Sequence, residues 1–360
     1  MKKVYFIIVF MLASFVVADA CTSAIVSGNI TKSGRPIVWK NRDTGVEDNF
    51  VCRSVSPEGM RYVGLYNAGD SLLRDAWAGF NEAGFVIMNT ASYNLAPDTT
   101  EYVDQEGYVM RRALSLCRTL ADFEVLLDTI AKPMGVQANF GVMDAKGNGA
   151  YYETDDHHYK KYSLADTPSD FIIRTNYSYS GTEGGGYGYI RENNAKTLLR
   201  PYVKNRSITP EVFTDVLSRS FYHSLFDRDL SRTNDRWIID QDFIPRYTST
   251  ASVAFELPRP DEPESAVIMW IALGYPPCSY VKAVTIDNVP KELQPNEKWH
   301  SSFCDEVVAR KHEVFQIHRG SGSHYIEVKT LHRYNNGFRL LSHKEYAKYE
   351  EIHKQLNEKK

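Results

Sequence analysis

Residues 18–26 read ADACTSAIV and combine a processing site with the beginning of a β-strand. Lys2 and Lys3 precede an uncharged run over residues 4–17, and residues 18–20 supply the small-x-small pattern after which signal peptidase cuts. The apolar run is shorter than the roughly 20 residues that a membrane-spanning helix needs. The sequence therefore predicts a signal peptide over residues 1–20, with export to the periplasm or the extracellular space and no membrane span after cleavage.

Cleavage between Ala20 and Cys21 makes Cys21 the first residue of the mature protein, and two fates of its thiol are then open. In a bacterial lipoprotein the thiol is alkylated with lipid, and the position three residues upstream is usually Leu, whereas here it is Ala18. In an N-terminal nucleophile the thiol stays bare. The two chemistries exclude each other at one sulfur, so a lipid-anchored, ligand-binding protein is the alternative to an enzyme.

The composition excludes several classes of protein. The 360 residues are 43% hydrophobic and 24% charged, as in a folded globular chain rather than a disordered or collagen-like one. A formal net charge of −3 gives no reason to expect nucleic acid or an anionic membrane surface as a partner. The chain's 5 cysteines are too sparse for a disulfide scaffold, and their spacing matches no metal site. We therefore expect neither a metal nor an organic cofactor.

Short strands and tight turns follow Cys21. Alternation of apolar residues and clusters of turn residues predict several strands and two hairpins. The predicted strands are residues 21–26, 35–39, 170–174, 252–257 and 266–273, and the predicted hairpins are residues 76–89 and 140–153. Residues 40–45 are polar and predict a turn directly after the second strand.

Helical patterns separate these strands. Apolar residues at spacings of three and four over residues 110–130 predict one helix or two in sequence, the second capped by residues 119–122. Two more helices are predicted over residues 189–203 and 209–221, the latter with Pro210 at its first position. Hairpins and helices without regular βαβ alternation favour antiparallel sheets covered by helices.

The last part of the chain differs from the rest. We predict a main domain over residues 21–290 and a C-terminal extension over residues 291–360. Charged helices are predicted over residues 306–315 and 345–356 and are expected to pack on the main domain or on a neighbouring subunit. Homo-oligomerisation is left open by the sequence.

An N-terminal cysteine carries two useful groups in one residue. An ordinary thiol has a pKa of about 8.5 and an ordinary α-amino group a pKa of about 7.7–8.0. The amine can therefore take the thiol proton near neutral pH and later deliver it to a leaving amine. Attack of the thiolate on an amide carbonyl gives a thioester, provided that hydrogen-bond donors stabilise the oxyanion.

The residues around this cysteine resemble a known family. Residues 21–26, followed by Asn41-Arg42-Asp43-Thr44-Gly45, are similar to the linear-amide branch of the N-terminal nucleophile hydrolases. That branch includes choloylglycine hydrolases, penicillin V acylases and the acyl-CoA:6-aminopenicillanic acid acyltransferase group. Further pieces of the resemblance are residues 79–84 with Asn89, residues 144–149 ahead of Glu153, residues 174–176 and residues 231–236. The resemblance spans roughly residues 21–285 and implies an α+β fold, a four-layer αββα sandwich.

The resemblance also implies roles for individual residues. Cys21 would be both nucleophile and base, and Asp43 the partner of its amine or thiol. Asn176 would donate to the oxyanion, with Asn89 as a second donor. The arginine of the site is implied at Arg232 or, in the neighbouring register, at Arg236.

One position departs from the family pattern. Lys40 stands three residues before Asp43, where the family usually has Arg, and a lysine lacks the planar fork of a guanidinium group. Arg42 takes that role only if the chain bulges. Because side chains alternate along a regular strand, residues 40 and 43 share a face only with an irregular turn, which residues 44–45 suggest.

The sequence thus predicts an exported enzyme that cleaves a linear carbon–nitrogen bond in an N-acyl amide through a thioester on Cys21. An acyltransferase that passes the acyl group to an amine acceptor is the alternative within the enzyme class. The expected partner is a small N-acyl amide, and its acyl and amine parts are left open.

Overall fold

Two antiparallel β-sheets lie face to face in the computed structural model of the protein, which describes residues 20–318 and 324–358. Apart from Ala20, the predicted signal peptide lies outside the described residues. None of the helices in the described ranges combines the length and the apolar character that crossing a membrane requires.

The chain contains short strands and few long helices. The strands are β1 Thr22–Val26, β2 Ile37–Asp43, β3 Asn49–Val55, β4 Arg61–Asn67, β5 Ala78–Asn81, β6 Val86–Ala91, β7 Ala138–Met143, β8 Gly149–Thr154, β9 Tyr159–Ser163, β10 Phe171–Arg174, β11 Tyr222–His223, β12 Arg228–Asp229, β13 Trp237–Ile239, β14 Ser249–Glu256, β15 Ile268–Leu273, β16 Lys282–Val284, β17 Ile317–His318 and β18 His324–Glu327. The helices are α1 Glu106–Leu116, α2 Leu120–Thr129, α3 Tyr189–Lys204, a π-helix π1 Val212–Leu217, α4 Ser302–Val314, α5 Val328–Tyr346 and α6 Tyr349–Asn357.

The two large sheets differ in how the chain builds them. The first has the strand order β10-β1-β2-β14-β15-β16 and brings together strands that are distant in the chain. The second is a meander in the order β3-β4-β5-β6-β7-β8-β9. The predicted hairpins over residues 76–89 and 140–153 are confirmed as β5–β6 and β7–β8 of this second sheet.

An apolar core fills the space between the sheets. Val38 of β2, Phe80 of β5 and Phe255 of β14 are fully buried in it, and the ring centres of Phe80 and Phe255 lie 6.1 Å apart. Helices α1 and α2 cover the outer face of the second sheet, whereas α3 and π1 cover the outer face of the first. The layers are therefore αββα, and the predicted fold class is confirmed.

The helices predicted from the sequence are confirmed in part. The predicted cap of α2 is confirmed, because the Asp122 N–H donates to Thr119 Oγ1 while the Thr119 N–H donates to the Asp122 carboxylate. The helix predicted over residues 209–221 instead contains the wider π1, in which the Ser218 N–H donates to the Phe213 carbonyl five residues back. The wide turn accompanies packing of the Phe213 ring on Trp39, with their centres 5.2 Å apart.

The C-terminal helices pack on the two-sheet body. Phe303 of α4 and Leu331 of α5 join the buried cluster that contains the inter-sheet residues. Helix α5 has no counterpart in the sequence prediction, because residues 335–337 (NNG) in its middle are poor helix formers. Burial of residues such as Leu331 against the body outweighs this low propensity.

Candidate active site

The beginning of β1 is the place where the predicted site residues meet. Strand β1 pairs antiparallel with both β2 and β10. Because neighbouring antiparallel strands run in opposite directions, β2 and β10 end where β1 begins. Cys21 directly precedes β1, Asp43 closes β2, and Asn176 follows β10 by two residues, so the topology brings all three to one edge of the first sheet.

Cys21 lies at the wall of a cavity of about 540 Å³. The residue is only 5% exposed, and its thiol donates to the backbone carbonyl of Asp43, with Sγ and the oxygen 3.7 Å apart. Lys40, Trp77 and Asn89 line the same cavity. A space of this volume is typical of sites for small organic ligands. The predicted nucleophile therefore has room for a substrate beside it.

The Asp43 carboxylate is buried among donors. It accepts hydrogen bonds from Arg246 Nε at 3.0 Å, from Ser249 Oγ at 2.6 Å and from Asn41 Nδ2 at 2.8 Å. Burial is the largest influence on the pKa of Asp43 and raises it, although Arg246 and Arg191 act in the opposite direction. Asp43 therefore reaches the Cys21 thiol through its backbone carbonyl, while its carboxylate holds Arg246 and Ser249.

The polar turn predicted over residues 40–45 begins later than predicted. Strand β2 continues through Asp43, and all of its residues are buried. Lys40 and Asp43 consequently lie on opposite faces of the strand, as regular alternation requires. The irregularity lies instead in the pairing with β14, whose register shifts between Ser249 and Ala251.

Lys40 joins the two sheets inside the cavity. Its ammonium group donates to Asn89 Oδ1 at 2.7 Å and to the Trp77 carbonyl at 2.9 Å. Because the Asn89 oxygen faces Lys40, the amide nitrogen of Asn89 is turned away from the ammonium group. Lys40 thus occupies the position that the resemblance assigns to an arginine, and it fixes the orientation of a predicted oxyanion donor.

Arg42 also reaches the cavity, on the same strand face as Lys40. Its guanidinium group donates to Asn49 and to Asn67 Oδ1, the latter at 2.7 Å, and lies 5.1 Å from the centre of the Trp77 ring. These contacts anchor Arg42 in the wall formed by β3 and β4. The chain does not bulge to exchange it with Lys40.

Asn176 is fully buried and held from two sides. Its Oδ1 accepts from Arg191 Nη2 at 2.7 Å, and its Nδ2 donates to the Ala91 carbonyl at 2.9 Å. Ala91 lines the cavity. The amide nitrogen is therefore on the side of Asn176 that is closer to the cavity wall.

The arginine predicted at Arg232 or Arg236 is not in this site. The two side chains are 84% and 71% exposed, and they lie near Asp229 and Glu327 at the surface. Short polar motifs such as residues 231–236 fit surface turns equally well, which is why the motif misled the prediction. The arginines that approach Asp43 and Cys21 are Arg246 and Arg191.

Of these two arginines, only Arg191 has a sequence pattern around it that could have pointed to its role. Arg191 precedes Ala195 and Leu199 by one and two helical turns, and both of these residues are fully buried, so a charged residue lies on the apolar face of α3. Arg246 lies in a loop before β14. Its role depends on contact with Asp43, 203 residues away in the chain, which no local pattern reveals.

Helix α4 contacts two segments next to this site, the β2–β3 loop and the loop before β14. Lys311 is buried and forms an ion pair with Glu47 of the β2–β3 loop, and the Asn49 N–H donates to Cys304 Sγ at 3.3 Å. The Lys311 ammonium group also lies 4.3 Å from the centre of the Tyr247 ring, next to Arg246 in the chain. Helix α4 therefore contacts both the β2–β3 loop and the residue next to Arg246.

Glu106, the first residue of α1, is a cavity residue that the sequence analysis does not single out. It is 7% exposed, and its carboxylate accepts from the Gln137 N–H at 2.9 Å. Burial raises its pKa from the ordinary value of 4.5 to about 8. The folded chain therefore binds the Glu106 proton more tightly than the unfolded chain does.

This difference predicts a pH dependence of stability. The favourable contribution of Glu106 is complete below about pH 4.5 and is lost as the pH rises to about 8. We expect Glu106→Gln and the parent protein to unfold at similar temperatures near pH 4.5, and the variant to unfold at the higher temperature near pH 8.5. Thermal unfolding followed by circular dichroism at both pH values checks this. Glu101→Gln, at an exposed position, is the matched control, and a pH-independent effect of Glu106→Gln would contradict the prediction.

One group of metal-type ligands occurs in the described part of the chain. Atoms of Asp48, His300 and Asp305 lie within 4.8 Å of one another, at half-buried or exposed positions. None of the three lines the cavity beside Cys21. Exposed acidic groups often approach one another in this way without a metal.

Comparison with known proteins gives one family match and several structural ones. A family model described as acyl-coenzyme A:6-aminopenicillanic acid acyl-transferase matches residues 31–219. No curated protein sequence matches the chain. Among solved structures, an N-acylethanolamine-hydrolyzing acid amidase ortholog from Caenorhabditis elegans is 16% identical, with a TM-score of 0.47, and the match covers 67% of this chain and 94% of that one.

Two further structures are similar at lower scores. A mutant of conjugated bile acid hydrolase from Clostridium perfringens is 12% identical, covers 74% of this chain and 92% of that one, and has a TM-score of 0.44. Penicillin V acylase from Agrobacterium tumefaciens is 10% identical, covers 75% and 87%, and has a TM-score of 0.38. The family match alone extends over more than half of the chain and confirms the resemblance seen in the sequence. The protein belongs to the acyl-coenzyme A:6-aminopenicillanic acid acyl-transferase family.

Proposed function

We propose that the protein, once residues 1–20 have been removed, hydrolyses a linear N-acyl amide with Cys21 as the nucleophile. The observation that carries the proposal is the position of the Cys21 thiol at the wall of a cavity that also contains Lys40 and Asn89. The family match begins after Cys21, so the role of this residue rests on that geometry and on the chemistry of an N-terminal thiol.

The reaction has two halves. In the first, the α-amine of Cys21 takes the thiol proton and the sulfur attacks the amide carbonyl carbon. The amide nitrogens of Asn176 and Asn89 stabilise the negative charge on the carbonyl oxygen, and the carbon–nitrogen bond breaks as the amine returns its proton to the leaving amine. In the second, water attacks the thioester, which releases a carboxylic acid and restores the thiol.

Arg246 supports the N-terminal residue in this scheme. In the chain that still contains Ala20, Arg246 Nη2 donates to the Ala20 carbonyl at 3.2 Å while Nε is bound to Asp43. Removal of Ala20 leaves the new amine of Cys21 beside this arginine. A nearby positive charge disfavours protonation of an amine, which favours the neutral form that acts as the base.

The cavity offers both charged groups and apolar surface to a substrate. Its lining includes Lys40 and Arg42 on one strand and Asp98 and Glu106 on other segments. We therefore place N-acyl amino acids and dipeptide-like amides first in a panel that also contains conjugated bile acids, penicillin V and N-acylethanolamines.

The test is a screen of this panel with protein whose first residue, verified by mass, is Cys21. Release of free amine, measured by a fluorogenic amine reagent, is the expected result for at least one amide. Repeating the assay with an added amine acceptor separates the two enzyme classes, because an acyltransferase would form a new amide instead of a free acid. A lipid increment on Cys21, with no amine released from any member, would favour the lipid-anchored binding protein and contradict the proposal.

A further inference from the structure

Arg191 is a buried cation whose contacts converge on the proposed catalytic groups. It is 1% exposed and lies in the first turn of α3. Its Nη1 donates to the Cys21 carbonyl at 2.6 Å and to Thr22 Oγ1 at 3.0 Å, and its Nη2 donates to Asn176 Oδ1 at 2.7 Å. One planar group therefore joins the strand that begins with the nucleophile to the loop that carries the oxyanion donor.

The contact with Asn176 decides how its amide is oriented. A guanidinium group has donors and no acceptor, so only the oxygen of the amide can face Arg191. The nitrogen must then lie on the other side, where it donates to the carbonyl of Ala91, a residue of the cavity wall. The Ala91 carbonyl only accepts hydrogen bonds and favours the same orientation, and Arg191 adds a charged donor that holds the amide from the opposite side.

The contact with Cys21 matters most after the leader has been removed. A residue at a chain end has lost one of its two covalent neighbours and is prone to fray. Arg191 Nη1 donates to the Cys21 carbonyl at 2.6 Å and to the Ala20 carbonyl at 3.3 Å, and the shorter of these hydrogen bonds survives removal of the leader. The guanidinium group is itself fixed because it belongs to a helix that packs on the first sheet.

We infer that Arg191 is a positioning residue for the proposed reaction, one that fixes Cys21 and turns the Asn176 amide nitrogen toward the developing oxyanion. The inference rests on the function proposed above. A lysine at this position keeps the charge, but a single ammonium group does not reproduce the fork that reaches two carbonyl oxygens at once.

Two small reagents separate this role from a merely structural one. Iodoacetamide alkylates a thiolate by displacing iodide, and no oxyanion forms. p-Nitrophenyl acetate acylates the thiolate instead: the sulfur–carbon bond forms, charge develops on the carbonyl oxygen, and the carbon–oxygen bond to p-nitrophenolate then breaks. Both rates are measured at about pH 9.5, above the ordinary thiol pKa of about 8.5, so that thiolate formation does not limit either rate.

We expect Arg191→Met to lower the acylation rate at Cys21 by about 10²-fold and the alkylation rate by less than about 5-fold. Arg191→Lys, which better preserves the fold, should lower acylation by about 10-fold with little change in alkylation. Asn176→Ala should show the same selective loss, and combining it with Arg191→Met should add little to the effect of either change alone. Arg200→Met, at an exposed position of the same helix, is the matched control and should change neither rate.

The outcomes distinguish this inference from the function on which it rests. Equal losses of acylation and alkylation in the Arg191 variants would indicate general loosening of the site and would overturn the inference. Unchanged acylation in Arg191→Lys and Arg191→Met would overturn it as well. Rapid release of p-nitrophenol that persists in Cys21→Ala would instead defeat the proposed function, because acylation would then not occur at Cys21.

Discussion

Cys21→Ala will lower the turnover of an N-acyl amide by at least about 10³-fold, because without the sulfur no thioester can form. The same change removes a single buried atom, so the unfolding temperature should fall by no more than about 3 °C. Steady-state release of amine and thermal unfolding of the same preparation measure the two effects.

A second cysteine supplies the control for this change. Cys52→Ala removes a half-buried thiol from β3, outside the lining of the cavity, and should leave turnover within about 2-fold of the parent. Turnover that survives in Cys21→Ala, or that is lost equally in both variants, would show that Cys21 is not the nucleophile.

Thiol labelling provides an independent test that Cys21 is the reactive cysteine. Burial raises the pKa of Cys117 and of Cys304 to about 12, and it also raises the pKa of Cys52 and Cys278. These four thiols are therefore protonated near neutral pH, and protonated thiols alkylate slowly. Brief treatment of the mature protein with iodoacetamide should modify Cys21 first, as peptide mass analysis would show.

A chain that keeps Ala20 will be inactive even though it contains Cys21. The Ala20–Cys21 peptide bond replaces the basic amine with an amide nitrogen, whose lone pair is delocalised and cannot accept the thiol proton. Ala20 is only 4% exposed, and its carbonyl accepts hydrogen bonds from Arg191 and Arg246. The extra residue is therefore accommodated, and we expect a loss of at least about 10³-fold in turnover without loss of the fold.

Two preparations released from a cleavable fusion, one beginning at Ala20 and one at Cys21, provide the comparison. Mass measured before and after the assay establishes which first residue is present during turnover. Activity that appears only as Ala20 is lost agrees with the prediction. Full activity from a chain that still carries Ala20 would mean that the α-amine is not the base.

The sequence predicted the fold most reliably where the determinants are local. The β5–β6 hairpin follows from Asn81 and Gly84 between apolar strands, and the cap of α2 follows from Thr119 and Asp122, because these contacts join residues a few positions apart. The stacking of two sheets came from the family resemblance rather than from any pattern in the chain. Helix α5 could not be anticipated, since packing against distant residues stabilises it against its own low propensity.

The candidate site divides in the same way, into residues next to local motifs and residues placed by contacts between distant parts of the chain. Cys21, Asp43 and Asn176 lie near motifs, and the structure brings them to one edge of the first sheet. Asn89 of the second sheet lines the cavity beside Cys21. The arginine was misplaced because electrostatic partners of Asp43 come from a helix and a loop remote in the chain. The expected irregular turn after Lys40 proved unnecessary, because Asp43 contacts Cys21 through its backbone and acts on Arg246 with its side chain.

The ion pair between Lys311 and Glu47 joins residues 264 positions apart and connects the loop after β2 to helix α4. Because the partners are so distant in the chain, the pair cannot form until residue 311 has left the ribosome. By then every strand of the two large sheets has already been synthesised. The loop after β2 therefore gains this restraint late in folding, after the segments that form the sheets are available to pair.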